Sequence, residues 1–361
     1  MPDLCSSVSL PIGRTGRRLG LLIGGVLGAL VLAGQSAVAL VITPSFDASW
    51  LNNGATGWNG NQAAATAVVN NVIAEFQADF SNPVTITIAF GLGETAGQPV
   101  NGGASAAITG TSYNTNYTLA QVTALYATAA GGPGPTTVLQ TANANLPAAY
   151  PHPGGRMIGG VPAFVVPGAE YLALTGMAQN ADPIQGFTGY ATNFCAPNPV
   201  CPYDFSGGPP AAGRIDFTAA VEHELSHAMS RTDYAFAAAP QPLTPQDFFK
   251  YTCGTGNLDP NFNINCFSYD GGVTNPGGRT FSNQSDSGDW INFGTDSFNA
   301  FLSPGVDANV STADIQLMCA EGWNDRAVCG TPVVGAPEPG TLALLGTSLL
   351  GFAALRRRWR Q

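Results

Sequence analysis

The chain has 361 residues, of which 45% are hydrophobic and only 10% charged, with 45 glycines and 27 prolines. That balance permits a packed core and excludes a fibrous or disordered chain. Net charge is −10, and residues 40–331 alone hold 21 acids against six bases (Arg156, Arg214, Arg231, Lys250, Arg279, Arg326), so this acidic body excludes nucleic acid as a partner.

Residues 1–39 read as a secretory signal peptide. Arg14, Arg17 and Arg18 precede the apolar run Leu19–Leu32, and Ala37-Val38-Ala39 supplies a small-residue cleavage pattern. Residues 40–331 then read as one domain in two parts. In the first, to about residue 235, apolar residues at helical spacing (Val68, Val69, Val72, Ile73, Phe76, Phe80) predict a helix over Asn61–Phe80. Val84–Phe90 alternates and is β-branched, a half-buried strand, and Gly91–Ser112 reads as a loop. Thr118 and Gln121 form a capping box for a helix to about Ala130. Met157–Val166 reads as a strand broken by Gly159-Gly160, with Leu172–Met177 extending the sheet, and a long helix follows Asp216. The class is α+β with a mixed sheet. The second part, 236–331, is irregular and rich in Asn, Gly and Ser. Its one clear helix opens at the Ser311/Asp314 capping box. Beyond Cys5, the six cysteines suit an oxidising compartment, and close spacing favours the pairs Cys195–Cys201, Cys253–Cys266 and Cys319–Cys329.

Chemistry concentrates in His223-Glu224-Leu225-Ser226-His227, an HExxH pattern within a stretch free of Gly and Pro. On a helix, residues four apart face the same way, so the two imidazoles converge on one metal ion, with zinc the natural occupant. Glu224 follows the first histidine and is placed to take a proton from water beside the metal. A third ligand is expected from a carboxylate. Asp247 lies 20 residues after His227, similar to the separation that glutamate-ligand zincins use for a ligand from a second helix. Asp233 is the alternative, where a metzincin-type pattern would place a ligand, although Ser230 replaces the glycine of that pattern. The other histidine, His152, sits in a rigid Pro/Gly-rich loop and reads as solvated. Tyr251, Tyr234 and Arg231 are candidate oxyanion donors, and Met318 reads as core. The acids within Asp259–Asp296 are candidate calcium ligands whose spacing matches no calcium loop. A lone lysine, Lys250, argues against lysine-based catalysis.

The tail, residues 332–361, carries Pro337-Glu338-Pro339, an apolar stretch Thr341–Leu355 and a terminal Arg356-Arg357-Arg358-Trp359-Arg360. It resembles the PEP-CTERM sorting signal of Gram-negative bacteria. The resemblance implies transient membrane insertion of the tail, processing by an exosortase-type enzyme, and delivery to the cell surface or beyond. The segments Leu243–Tyr251, Phe267–Gly272, Asp289-Trp290, Asp296–Phe301 and Ser311–Trp323, taken with HExxH, resemble a family of PEP-CTERM-associated HExxH metalloproteases. That resemblance implies a zincin-like fold and zinc-dependent hydrolysis of a peptide or protein substrate. The rival expectation is a non-catalytic extracellular matrix or adhesion protein on the same scaffold.

Overall fold

The computed structural model describes residues 39–52, 57–100, 107–111, 113–132, 134–150, 157–158, 161–177, 183–191, 203–233, 242–259 and 263–330, and only the backbone at 107–111, 113–116, 157–158 and 161–162. The signal segment, His152, Tyr234, Cys195, Cys201 and the tail lie outside them.

Strand β1 (Val41–Phe46) leads into helix α1 (Gln62–Asp79), which returns the chain to β2 (Thr85–Leu92), parallel to β1. The helix forms because Ala65, Val68, Val69, Val72, Ile73 and Phe76 line one buried stripe. Two further strands complete the sheet. β3 (Ala107–Thr111) lies at the edge, antiparallel to a later strand at Gly186–Tyr190, which itself runs parallel to β2. The order is therefore β1, β2, Gly186–Tyr190, β3: a mixed sheet of four strands.

Several segments depart from expectation. The Gly/Ala/Ser-rich stretch that reads as a loop contains β3 near its end, where the β-branched Ile108, Thr109 and Thr111 belong to a short run that pairs along Gly186–Tyr190. Met157–Val166 divides into Met157–Ile158 paired with Val161–Pro162, and β5 (Phe164–Pro167), which pairs with β4 (Tyr113–Tyr117) instead of the main sheet. Leu172–Met177 is no strand. Helix α4 (Gly168–Thr175) covers most of it and stops at Gly176, whose φ of 68° suits a residue without Cβ. Helix α2 (Leu119–Gly131) opens at the expected Thr118/Gln121 box, and α3 (Thr137–Ala144) follows, capped by Thr136.

With Gly186–Tyr190 as β6, helix α5 (Phe217–Met229) runs beneath the sheet. Its start is fixed by Asp216, which accepts from Thr218 N at 2.9 Å. Phe217 then enters an aromatic cluster with Trp58, Tyr190, Tyr203 and Phe205, at centroid separations of 4.9–5.6 Å. At the other end the helix nearly touches β6: a Cβ on Gly186 would lie 2.8 Å from Ala228 Cβ and 2.9 Å from its carbonyl oxygen. Eleven of the thirteen residues of α5 are buried, so the helix is an internal beam.

Beyond α5 the described chain is mostly irregular, held by a 3₁₀ turn (Pro245–Phe249), strands β7 (Lys250–Thr252) and β8 (Asn265–Phe267), and helix α6 (Thr312–Ala320). Disulfides Cys253–Cys266 and Cys319–Cys329 staple it as their spacing suggests.

Candidate metal centre

On α5, His223 and His227 stand one turn apart with ring centroids 4.7 Å apart and Nε2 atoms 3.1 Å apart. Their other nitrogens face carbonyl oxygens. His223 Nδ1 is 2.8 Å from Ser297 O, and His227 Nδ1 contacts Arg231 O. A carbonyl can only accept, so each Nδ1 must carry its hydrogen. Each Nε2 is therefore the ring position left for a lone pair.

Asp289 Oδ1 completes the group, 3.4 Å from His223 Nε2 and 3.0 Å from His227 Nε2. Three electron-rich atoms thus converge on one point, and only a cation, either a proton or a metal ion, makes that favourable. A tetrahedral ion about 2.0–2.1 Å from each ligand needs ligand–ligand separations of roughly 3.3–3.4 Å. The triangle of 3.0, 3.1 and 3.4 Å needs little adjustment to meet this. Two imidazoles and one carboxylate fit zinc and leave one position open. Among the described residues this is the one grouping of three such ligands.

The carboxylate that meets the two imidazoles is neither of those that HExxH-relative spacing singles out. Asp247 lies in the 3₁₀ turn, where its Oδ2 accepts from Thr244 N at 2.8 Å and closes a capping box. Asp233 is in contact with Lys250 Nζ, and Asp247 Oδ1 is 3.8 Å from the same atom. Both acids are drawn to the buried lysine, while Asp289 comes from a loop 62 residues beyond His227. That loop is pinned hard. Trp290 packs with its ring centroid 4.7 Å from Phe281 and 5.6 Å from Phe267, and its Nε1 donates to Asp314 Oδ1 at 2.6 Å. The signal in the sequence was the pair Asp289-Trp290, an acid beside a large anchor.

Arg231 is fully buried and touches the whole group. Its guanidinium contacts Asp289 Oδ1 and donates to Gly288 O (3.0 Å), Ser226 Oγ (2.9 Å) and His223 O (3.2 Å). Its own carbonyl orients His227, and its guanidinium lies 4.4 Å over Phe298. It is placed behind the ligands as a positioning residue, with no exposed face for an oxyanion. Tyr251, the other described oxyanion candidate, lies beside Gly272 and Asp270. Ser230 needs no glycine-like backbone at φ −167°, and its hydroxyl contacts Glu321 Oε2 (2.6 Å) and Met318 Sδ (3.6 Å). The candidate calcium ligands are otherwise engaged: Asp270 by Ser268 and Thr274, Asp296 by Arg279.

Charge follows this geometry. Burial lowers the His223 pKa to about 3, with Arg231 and His227 acting the same way against Asp289, so the ring is neutral as a ligand must be. For His227, burial and Arg231 also oppose a proton, but Asp289 outweighs them and the pKa is raised. Burial works against the Asp289 carboxylate, yet His223, Arg231 and His227 together hold it well below the usual range. Glu224 Oε1 lies 3.9 Å from His223 Nε2, beside the convergence point without joining it.

Residues 336–358 match the PEP-CTERM protein-sorting motif, a signal for export to the cell surface of Gram-negative bacteria with exosortase processing. No curated protein and no solved structure matches the chain. Among the described residues no helix is long and apolar enough to cross a membrane, and Thr341–Leu355 lies outside them.

Proposed function

We propose that this exported chain is a zinc-dependent peptidase of zincin-like architecture. One observation carries the reading: His223 Nε2, His227 Nε2 and Asp289 Oδ1 converge, with Glu224 beside them. When bound, zinc would supply Lewis acidity, polarising a peptide carbonyl and acidifying water. The residues do the rest. Glu224 accepts a proton from the attacking water and returns it to the leaving amine. Ser297 O and Arg231 O hold the imidazole tautomers, and Arg231 holds Asp289. A peptide would lie along β3, the outer strand of the sheet above α5, with main-chain hydrogen bonds.

The test uses the full-length exported protein on casein, with and without a chelator. Hydrolysis that stops on chelation and in Glu224→Gln, while zinc content stays at one per chain, supports the reading. Undiminished hydrolysis by Glu224→Gln rules it out. A second reading, a matrix or adhesion protein with zinc as a structural staple, draws on the burial of His227 (5%), Asp289 (2%) and Glu224 (5%). It predicts bound zinc without hydrolysis in the unaltered chain.

A further inference from the structure

The chain's only lysine is buried, and its surroundings are unusual for an ammonium. Lys250 is 1% exposed, as is Asp247, and Asp233 is 2% exposed. Nζ is in contact with Asp233 Oδ2 and 3.8 Å from Asp247 Oδ1, with the Phe281 ring centroid 5.2 Å away. Asp247 Oδ1 is itself buried and, among the described residues, has no hydrogen-bond partner. Two carboxylates and one ammonium held away from water are an expensive arrangement, because desolvation rivals their attraction.

We propose that Lys250 and Asp233 become joined by an amide between Nζ and Cγ, formed by the folded protein itself with Asp247 as proton donor. The Nζ lone pair attacks Cγ of Asp233. One Asp233 oxygen departs as water, taking one proton from Nζ and one from the Asp247 carboxyl, and Asp247 is left as carboxylate. No oxidant, reductant or further reactant is needed. The protonation states agree with this geometry. Burial lowers Lys250 to about 7 in spite of Asp286, Asp289 and Asp259, and burial raises Asp247 to about 7 against its bonds to Thr244. A free amine and a protonated carboxyl therefore coexist near neutrality. The product replaces the buried amine and the Asp233 carboxylate by one neutral amide and leaves a single negative charge on Asp247. It ties the segment leaving α5 to β7, a covalent link additional to the disulfides and suited to a protein exported beyond the cell.

This modification is independent of the peptidase reading. Trypsin and mass spectrometry on the full-length protein, denatured and reduced, decide it. An amide makes Lys250 resistant to trypsin, so cleavage at Arg231 and Arg279 releases 232–279 as one peptide lighter than its sequence by one water. Fragmentation would place the link between Asp233 and Lys250. Lys250→Arg should give the uncondensed mass and a lower Tm, and Asp247→Asn should leave most chains uncondensed. Recovery of Thr232–Lys250 and Tyr251–Arg279 as separate peptides from the unaltered protein overturns the proposal, whether or not the variants fold.

Discussion

Asp289 Oδ1 answers to two imidazoles and a guanidinium at once, so the proposed zinc site makes every residue around it testable by metal binding. Asp289→Asn or His223→Ala should remove binding measured by chelator competition. Asp247→Asn should leave the zinc stoichiometry unchanged, which separates the acid that converges from the one placed by sequence spacing. Arg231→Gln should weaken zinc by roughly 10–100-fold, the usual effect of losing a group that orients ligands. A variant binding as tightly as the original would show Arg231 to be mere counter-charge. The raised His227 pKa adds a pH dependence whose sign is fixed. The metal-free ring keeps a proton that zinc must displace, so affinity is full above that pKa and falls as pH drops through it. Calorimetry in buffers of different ionisation enthalpy should register the released proton.

At the scale of elements, the centre depends on how closely α5 lies beneath β6. Gly186→Ala would press a methyl against Ala228 and Ile88 Cδ1, all within 3 Å, and should destabilise the fold by about 1–3 kcal/mol in denaturant titration. Helix α5 was legible because HExxH sits in an uninterrupted stretch after a capping acid, and capping boxes announced α2 and α6 equally well. Strand β3 and helix α4 were not. The first is a run of only five residues, Ala107–Thr111, masked by the glycine-rich stretch before it and fixed by pairing with a distant strand. The second presents an apolar run that reads as strand until Gly176 closes it in a left-handed turn.

For the whole molecule, buried acids contribute a response to pH. Burial raises Glu321 to about 7, against its bond from Ser230 and the nearby Arg231, and burial raises Glu170 beside it in the same direction. The folded state therefore binds these protons more tightly than the unfolded chain does. The contribution of these two acids to stability is fullest below the ordinary carboxylate range and declines as pH rises toward about 7. Glu321→Gln should flatten that decline in Tm against pH. The staples matter at the same scale. Replacing Cys319 and Cys329 by serine should cost about 2–4 kcal/mol, since the open loop regains freedom in the unfolded chain.

Sequence by itself determined whatever depends on near neighbours: the helix carrying both imidazoles, the caps, the disulfides Cys253–Cys266 and Cys319–Cys329, and the sorting tail. Those features arise from residues a few positions apart, where backbone geometry leaves little choice. Only the tertiary structure decided which acid faces the histidines. Asp233 and Asp247 lie close along the chain but are claimed by Lys250, whereas Asp289 is carried in by the packing of Trp290 and held by Arg231. Spacing along a chain does not encode such a meeting, because packing between distant segments determines it.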